Sequence, residues 1–326
     1  LLLKKFNCKI YGISMKPNLN SQNYRVLDIS KQIKKEFFFD IENYALTNKT
    51  IKSIKPDIIF HLAAQAFVLE GYKNPIDTFR TNIIGTANLI NSALLNKVKY
   101  NVIITTDKCY ANNETNISFK EDAPLGGNDP YSSSKACAEI ISRALSKSYG
   151  DKNLYIDTVR AGNILGGGDF GSNRLIPDIY FAKLNKKKLF IRYPKATRPW
   201  QNILDLIIGY SLIPMNQKNR TNNFESWNIG PTNKEKKINV NLIVKKFLYN
   251  FDSNMKVIIK KNKIKEAKIL MLNSNKFRKN LGWKNLYNID ETILQTSEWY
   301  KKYLLKDKKQ VKIYSKKILD YTFKKI

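Results

Sequence analysis

Five short apolar runs, each followed by a helical or turn-rich stretch, constrain this chain more than any other feature. They lie at 9–13, 37–39, 57–62, 102–105 and 155–159. Runs this short read as strands, and their regular separation by longer segments is the rhythm of a parallel α/β sheet with crossover helices. Between the third and fourth runs, Ile76, Phe79, Ile83, Ala87, Ile90 and Leu94 recur at three- and four-residue spacing. That spacing predicts a helix of about 20 residues with one apolar face laid on the sheet. In such sheets ligands sit beyond the carboxyl ends of the strands, so the loops after each run are where chemistry is expected.

After Arg160 the alternation loosens, and Gly166-Gly167-Gly168, Pro177, Pro194, Pro199, Pro214 and Pro231 punctuate shorter elements. This part reads as a smaller domain sharing an interface with the first, because no long linker separates them. Hydrophobic residues make up 43% of the chain. No apolar run approaches the roughly 20 residues of a membrane span, and neither a membrane nor a metal is expected as a partner. Three cysteines and one histidine, His61, point to a reducing, cytoplasmic setting without a disulfide framework. The formal charge of +30 raises nucleic acid as a candidate. Yet the lysines are scattered among many Asn and Ile, as compositional bias would leave them, and no nucleic-acid partner is expected. The basic run at 301–325 is the best polyanion candidate, with a solvated terminal helix as the simpler reading.

Two segments carry candidate chemistry. Tyr131-Ser132-Ser133-Ser134-Lys135 opens a helix continuing through Ala138, Ile141 and Leu145, which places Tyr131 and Lys135 on one face. The ammonium is expected to depress the phenol pKa, so that the tyrosine can take a proton from a hydroxyl. Thr105-Thr106-Asp107-Lys108 follows the fourth run and offers a hydroxyl, an acid and an amine at a strand's carboxyl end. Either pattern alone also occurs as an ordinary helix face or turn. Together, one loop apart, they outweigh that reading. His61, at the end of a buried run, reads as a packing residue.

With His61-Leu62-Ala63-Ala64-Gln65, Thr106-Asp107-Lys108-Cys109-Tyr110 and Arg160-Ala161-Gly162-Asn163, these motifs resemble the extended short-chain dehydrogenase/reductase family. Gly166-Gly167-Gly168-Asp169, Arg174-Leu175-Ile176-Pro177-Asp178, Thr197-Arg198-Pro199-Trp200-Gln201 and Trp227-Asn228-Ile229-Gly230-Pro231 are similar to its CDP-glucose 4,6-dehydratase branch. The resemblance implies a Rossmann-like doubly wound parallel sheet with NAD bound by residues 1–160. A mainly substrate-binding part follows at 161–304, with some return to the sheet, and then a basic tail at 305–326.

It also implies the reaction. Tyr131, helped by Lys135 and Thr106, would oxidise the sugar at C4 against NAD. Lys108 would take the C5 proton, Asp107 would protonate the departing C6 hydroxyl, and the hydride would return to C6. For the cofactor the resemblance carries over Ser14, Asp40, Ile41, Leu62, Ala63, Ala64, Gln65, Asn82, Tyr131 and Lys135. For the nucleotide-sugar it carries over Asn163, Arg174, Leu175, Arg192 and Arg198. It further implies a homodimer. An epimerase sharing Tyr131 and Lys135, or a non-catalytic basic binding protein on a decayed dehydrogenase fold, are the alternatives.

The chain opens at Leu1 with what reads as the end of a helix, and no glycine precedes Gly12. The expectation is that the fold's first strand and its glycine-rich phosphate turn lie outside this sequence. A sheet without that central strand would leave backbone groups unpaired and bind NAD poorly.

Overall fold

The five runs form strands β1 (Tyr11–Ser14), β2 (Lys35–Phe38), β3 (Ile58–His61), β4 (Tyr100–Ile104) and β5 (Tyr155–Ala161) in the computed structural model. The structure describes residues 6–18, 22–114, 117–150, 153–216, 220, 222–232, 238–260 and 267–326. The expected helix end at 1–5 lies outside them. Shorter strands β6 (Ile164–Leu165), β7 (Leu189–Ile191) and β8 (Gln201–Asn202) follow, then β9 (Phe224–Ile229) and β10 (Val257–Ile259). All pairings between these strands are parallel. β3, β4, β5 and β9 make one four-stranded sheet in that order, so the second half of the chain returns a strand to it. β1 and β2 form a separate pair. Among the described residues no strand joins the two ladders, and β1 and β3 each keep one edge without a strand partner.

Helices used below are α1 (Pro75–Phe79), α2 (Gly85–Leu95), α3 (Pro130–Tyr149), α4 (Leu175–Leu184), α5 (Ile203–Met215), α6 (Val240–Phe251), α7 (Ile289–Leu304) and α8 (Lys308–Lys325). The central strands are covered on both faces, which is why they read as continuous apolar runs. Val102, Val159 and Trp227 pack against Leu206, Tyr210 and Ile213 of α5. On the other face Ile103 and Ile156 pack against Leu89, Ile90 and Ala93 of α2. A second core, rich in aromatic rings, gathers Phe170, Tyr180, Phe247, Trp299 and Tyr300 from α4, α6, α7 and the loop before α4. The basic tail is α8. It docks through buried Val311 and Thr322, whose hydroxyl lies 2.7 Å from that of Tyr287. No helix among the described residues is long and apolar enough to cross a membrane.

The predicted apolar stripe at 76–94 is corrected by the structure. Ile90 is buried as expected, but Ile76 is 64% exposed. The face turned inward carries Thr78, Asn82 and Thr86 ahead of Leu89, Ile90 and Ala93. Two physical reasons account for this. A π-helical turn, Arg80–Ile84, interrupts the helix and shifts the phase of every later residue. The buried polar groups are also satisfied: Thr78 by Gln65 (2.8 Å), Asn82 by Ser134 (2.8 Å) and Thr86 by His61 (2.9 Å).

Beneath the carboxyl ends of β4 and β5 lies a buried ion pair. Arg160, on β5, donates to Glu139 of α3 at 2.8 Å, and both side chains are almost wholly buried. The same guanidinium donates to the Tyr110 hydroxyl and the Glu121 carbonyl, each at 2.8 Å. Glu139 also accepts from the hydroxyls of Thr105 and Thr158. Two residues further on, the chain turns at Gly162, where a Cβ would stand 2.2 Å from the Pro199 ring. Only glycine lets the 160–163 and 197–201 segments approach so closely. Replacing Arg160 with Leu strands Glu139 as an unpaired buried charge, and urea unfolding should show a loss of about 3–5 kcal/mol. A loss below about 1 kcal/mol would mean that the carboxylate finds another partner.

Candidate active site

The 102–105 run ends as a strand because Thr105 is pinned: its hydroxyl donates to Glu139 and to the Val159 carbonyl at 3.1 Å. Thr106 then caps a short 3₁₀ turn, Asp107–Cys109, accepting from the Lys108 amide at 3.4 Å and donating to Asp107 Oδ1 at 3.1 Å. Asp107 is buried, and its Oδ2 has no hydrogen-bond partner among the described residues. Burial raises its carboxyl from the ordinary 3.8 to about 6, against the opposing pull of Lys108 and Arg198.

Helix α3 starts where Asp129 accepts from the Ser132 amide at 3.0 Å with Pro130 in the first turn, a favourable helix start. Tyr131 and Lys135 therefore sit one turn apart, both buried, facing the end of β4. The Lys135 ammonium donates to the Ile104 carbonyl at 3.0 Å, tying helix to strand end. Burial pulls that ammonium down to about 8, with Glu139 opposing. The Tyr131 phenol departs from the sequence expectation. Burial raises it to about 12, a hydrogen bond with Thr106 works against this, and Asp107 pushes it up further. Depression by Lys135 is overturned, because loss of water around the phenol outweighs every nearby cation.

A single cavity of about 410 Å³ brings Thr106, Asp107, Lys108 and Tyr131 together with Asn163, Arg174, Leu175, Arg192 and Arg198. Arg198 is buried, donates to the Thr197 carbonyl at 2.9 Å and acts electrostatically on Asp107. Arg174 pairs with Asp169 at 3.1 Å and lies over the Phe67 ring, 4.5 Å from its centroid. Arg192 donates to the Asn173 carbonyl at 3.0 Å. Phe67 and Tyr193 also face this cavity and went unread in the sequence, since neither has a periodicity that marks it, and Asp169, read only as the end of the Gly166-Gly167-Gly168-Asp169 motif, faces it too.

The remaining candidates are not on the cavity wall. Ser14 is the last residue of β1, while Asp40 with Ile41 and Leu62-Ala63-Ala64-Gln65 follow the carboxyl ends of β2 and β3 respectively. Asp40 accepts from the Glu42 amide at 2.9 Å, Ile41 is buried under Gly85, and Leu62 is 61% exposed. Asn82 is buried and braces this region, exchanging bonds of 2.8 and 2.9 Å with the Gln65 backbone. His61 is buried beside Thr86, and burial lowers its pKa to about 3.

Asp107 makes stability depend on pH. Its folded-state pKa lies above the ordinary value, so the stability gained by protonation is complete below about 3.8 and lost as pH rises through about 6. Asp107→Asn, which mimics the protonated form, should unfold at higher urea than the parent at pH 8, by on the order of 3 kcal/mol. The difference should shrink towards nothing near pH 4. An equal gap at both pH values would contradict the buried-charge account.

A family model described as GDP-mannose 4,6 dehydratase matches residues 1–296. The chain is 35% identical over 274 residues to the CDP-glucose 4,6-dehydratase of Salmonella typhimurium, covering 81% of this chain and 76% of that relative. Its fold is similar to that of a dTDP-glucose 4,6-dehydratase from Bacillus anthracis, solved in complex with NAD. There the TM-score is 0.73 at 24% identity, over 92% of this chain and 91% of the other. A UDP-glucose 4-epimerase from Thermotoga maritima, solved with UDP-glucose, gives a TM-score of 0.76 at 19% identity, over 90% and 100% of the two chains. The epimerase and dehydratase likenesses together describe one Rossmann-like α/β fold. With a match running through almost all of its length, the chain belongs to the GDP-mannose 4,6-dehydratase family.

Proposed function

We propose that this protein is an NAD-dependent nucleotide-sugar 4,6-dehydratase whose substrate is CDP-glucose. The observation that carries the reading is the cavity itself. A buried acid that can hold a proton near neutrality, Asp107, shares it with Lys108, Thr106 and Tyr131, and arginines line the same space. The Salmonella typhimurium relative supports the choice of CDP-glucose. An epimerase needs no acid to expel a hydroxyl, so a protonatable Asp107 favours dehydration.

The residues around Lys135 fit a dinucleotide by their own chemistry. One of the three ammonium protons goes to Ile104, leaving donors for ribose hydroxyls. Exposed Leu62, between His61 and two alanines, offers apolar surface at a strand end. Ser14, Asp40 and Ile41 would take the adenosine side, with Ala63, Ala64 and Gln65 alongside. NAD, when bound, accepts a hydride from the sugar and gives it back.

The chain's own groups handle the protons. Tyr131 accepts the C4 hydroxyl proton only as the phenolate, the form that a hydrogen bond from Thr106 favours. Lys108, as the neutral amine, takes the C5 proton, the C6–O bond breaks, and protonated Asp107 donates its proton so that the oxygen leaves as water. Asn163, Leu175 and the guanidinium groups of Arg174, Arg192 and Arg198 position the substrate, those of Arg174 and Arg198 through charge-assisted bonds to the diphosphate. We further infer a homodimer in a cytoplasmic setting. Ile76, Ile84 and Ile140 are exposed on α1, the π-turn and α3, which pack side by side, and a second copy would cover them.

Incubating the protein, expressed together with its natural upstream sequence, with NAD+ and CDP-, UDP-, dTDP- and GDP-glucose, and reading products by mass spectrometry, should show water loss from CDP-glucose. Tyr131→Phe should slow it about 10²–10⁴-fold. Every sugar returning unchanged in mass would remove the dehydratase reading.

A further inference from the structure

The cavity has a second wall whose side chains take no part in the proton transfers. Asp178, in the first turn of α4, faces it with Phe190, Arg192 and Tyr193, which come from β7 and the residues just after it. These groups come from a different part of the chain than Thr106, Asp107 and Tyr131. Asp178 is partly buried. Burial raises its carboxyl to about 6, Arg192 and a bond from the Asn173 backbone pull it back, and Asp169 adds to the rise. Like Asp107, it exchanges its proton near neutrality, and in its ionised form it is an acceptor with no proton to give. Arg192 beside it has donors only.

A carboxylate next to a guanidinium is an acceptor beside a donor. Cytosine offers the complement along one edge: an exocyclic amine that donates, followed by a ring nitrogen and a carbonyl that accept. Uracil and thymine place a carbonyl where the amine would be and a ring N–H beside it, so both positions meet the wrong partner. Carboxylates reading the cytosine amine are a recurrent solution in nucleic-acid recognition, and a matched pair discriminates by roughly tenfold or more. The aromatic rings of Phe190 and Tyr193 add flat apolar surface for a base.

We propose that Asp178 is the specificity-determining residue for the base, accepting from the exocyclic amine of cytosine while Arg192 donates to its ring edge. This rests on reading the cavity as a nucleotide-sugar site, but it is a statement about the base alone and can be tested without the sugar or the chemistry. Calorimetric titration with CDP and with UDP should show at least about tenfold tighter binding of CDP by the parent protein. Asp178→Asn, close in size at a partly exposed position, can turn its amide to donate to a carbonyl. It should lose most of that preference, chiefly through weaker CDP and stronger UDP binding. Asp178→Ser, which cannot span the same gap, should weaken CDP without strengthening UDP.

Retention of the parent's CDP-to-UDP ratio in both folded variants would overturn the assignment, as would a parent that does not prefer CDP. A parent that prefers CDP but dehydrates no sugar, with the preference lost in both variants, would overturn the dehydratase reading and uphold this one. Where turnover is present, Asp178→Asn should lower kcat/KM for CDP-glucose about tenfold or more through KM, leaving kcat within about twofold.

Discussion

The geometry of this molecule depends on the buried pair between Arg160 and Glu139. Burying two charges is expensive, and the pair is tolerated because each partner is also hydrogen-bonded to uncharged groups around it. Those bonds are what give it reach. Glu139 holds the Thr105 hydroxyl at the end of β4 and that of Thr158 on β5, while Arg160 holds Tyr110 and the Glu121 carbonyl. Helix α3, strands β4 and β5 and the loop after β4 are thereby fixed to one point. Lys135, one turn before Glu139, adds the tie to Ile104. Thr106, Asp107 and Lys108 on one element and Tyr131 on another therefore meet in a defined way.

The same dryness sets the electrostatics of the site. Taking water away disfavours whichever form is charged, so Asp107 and Tyr131 move up while Lys135 moves down. For Asp107 the result is a carboxyl that can hold or release a proton near neutrality. For Tyr131 burial works against ionisation, and the Thr106 hydrogen bond is the local counterweight. The site is thus a balance between one general effect and a few specific bonds. Its proton chemistry depends on how much of the burial each group feels.

The second half of the chain completes the cavity. Gly162 lets the Arg198 segment approach the end of β5, and Arg198 then reaches close enough to influence Asp107. Helix α4 and strand β7 bring Arg174, Asp178 and Arg192 to the same space. One half contributes Thr106, Asp107, Lys108 and Tyr131 to the cavity wall and the other contributes Arg174, Asp178, Arg192 and Arg198.

By itself the sequence determined the strand rhythm, the parallel α/β class and the Tyr131–Lys135 helix face, because these follow from periodicity and local caps that act within a few residues. The Thr106-Asp107-Lys108 turn was legible for the same reason, as a polar cluster directly after an apolar run. The phase of the 76–94 helix was not: a π-turn and three buried polar groups, satisfied by distant partners such as His61 and Ser134, overrode the apolar spacing. Tyr131's ionisation was likewise misjudged from spacing, since desolvation is a property of everything packed around a group. The joining of Phe67 to Arg174, of Arg198 to Asp107 and of Asp178 to Arg192 was decided only by tertiary structure. Contacts between residues many positions apart leave no trace in local pattern, and it is those contacts that turn a recognisable fold into a particular site.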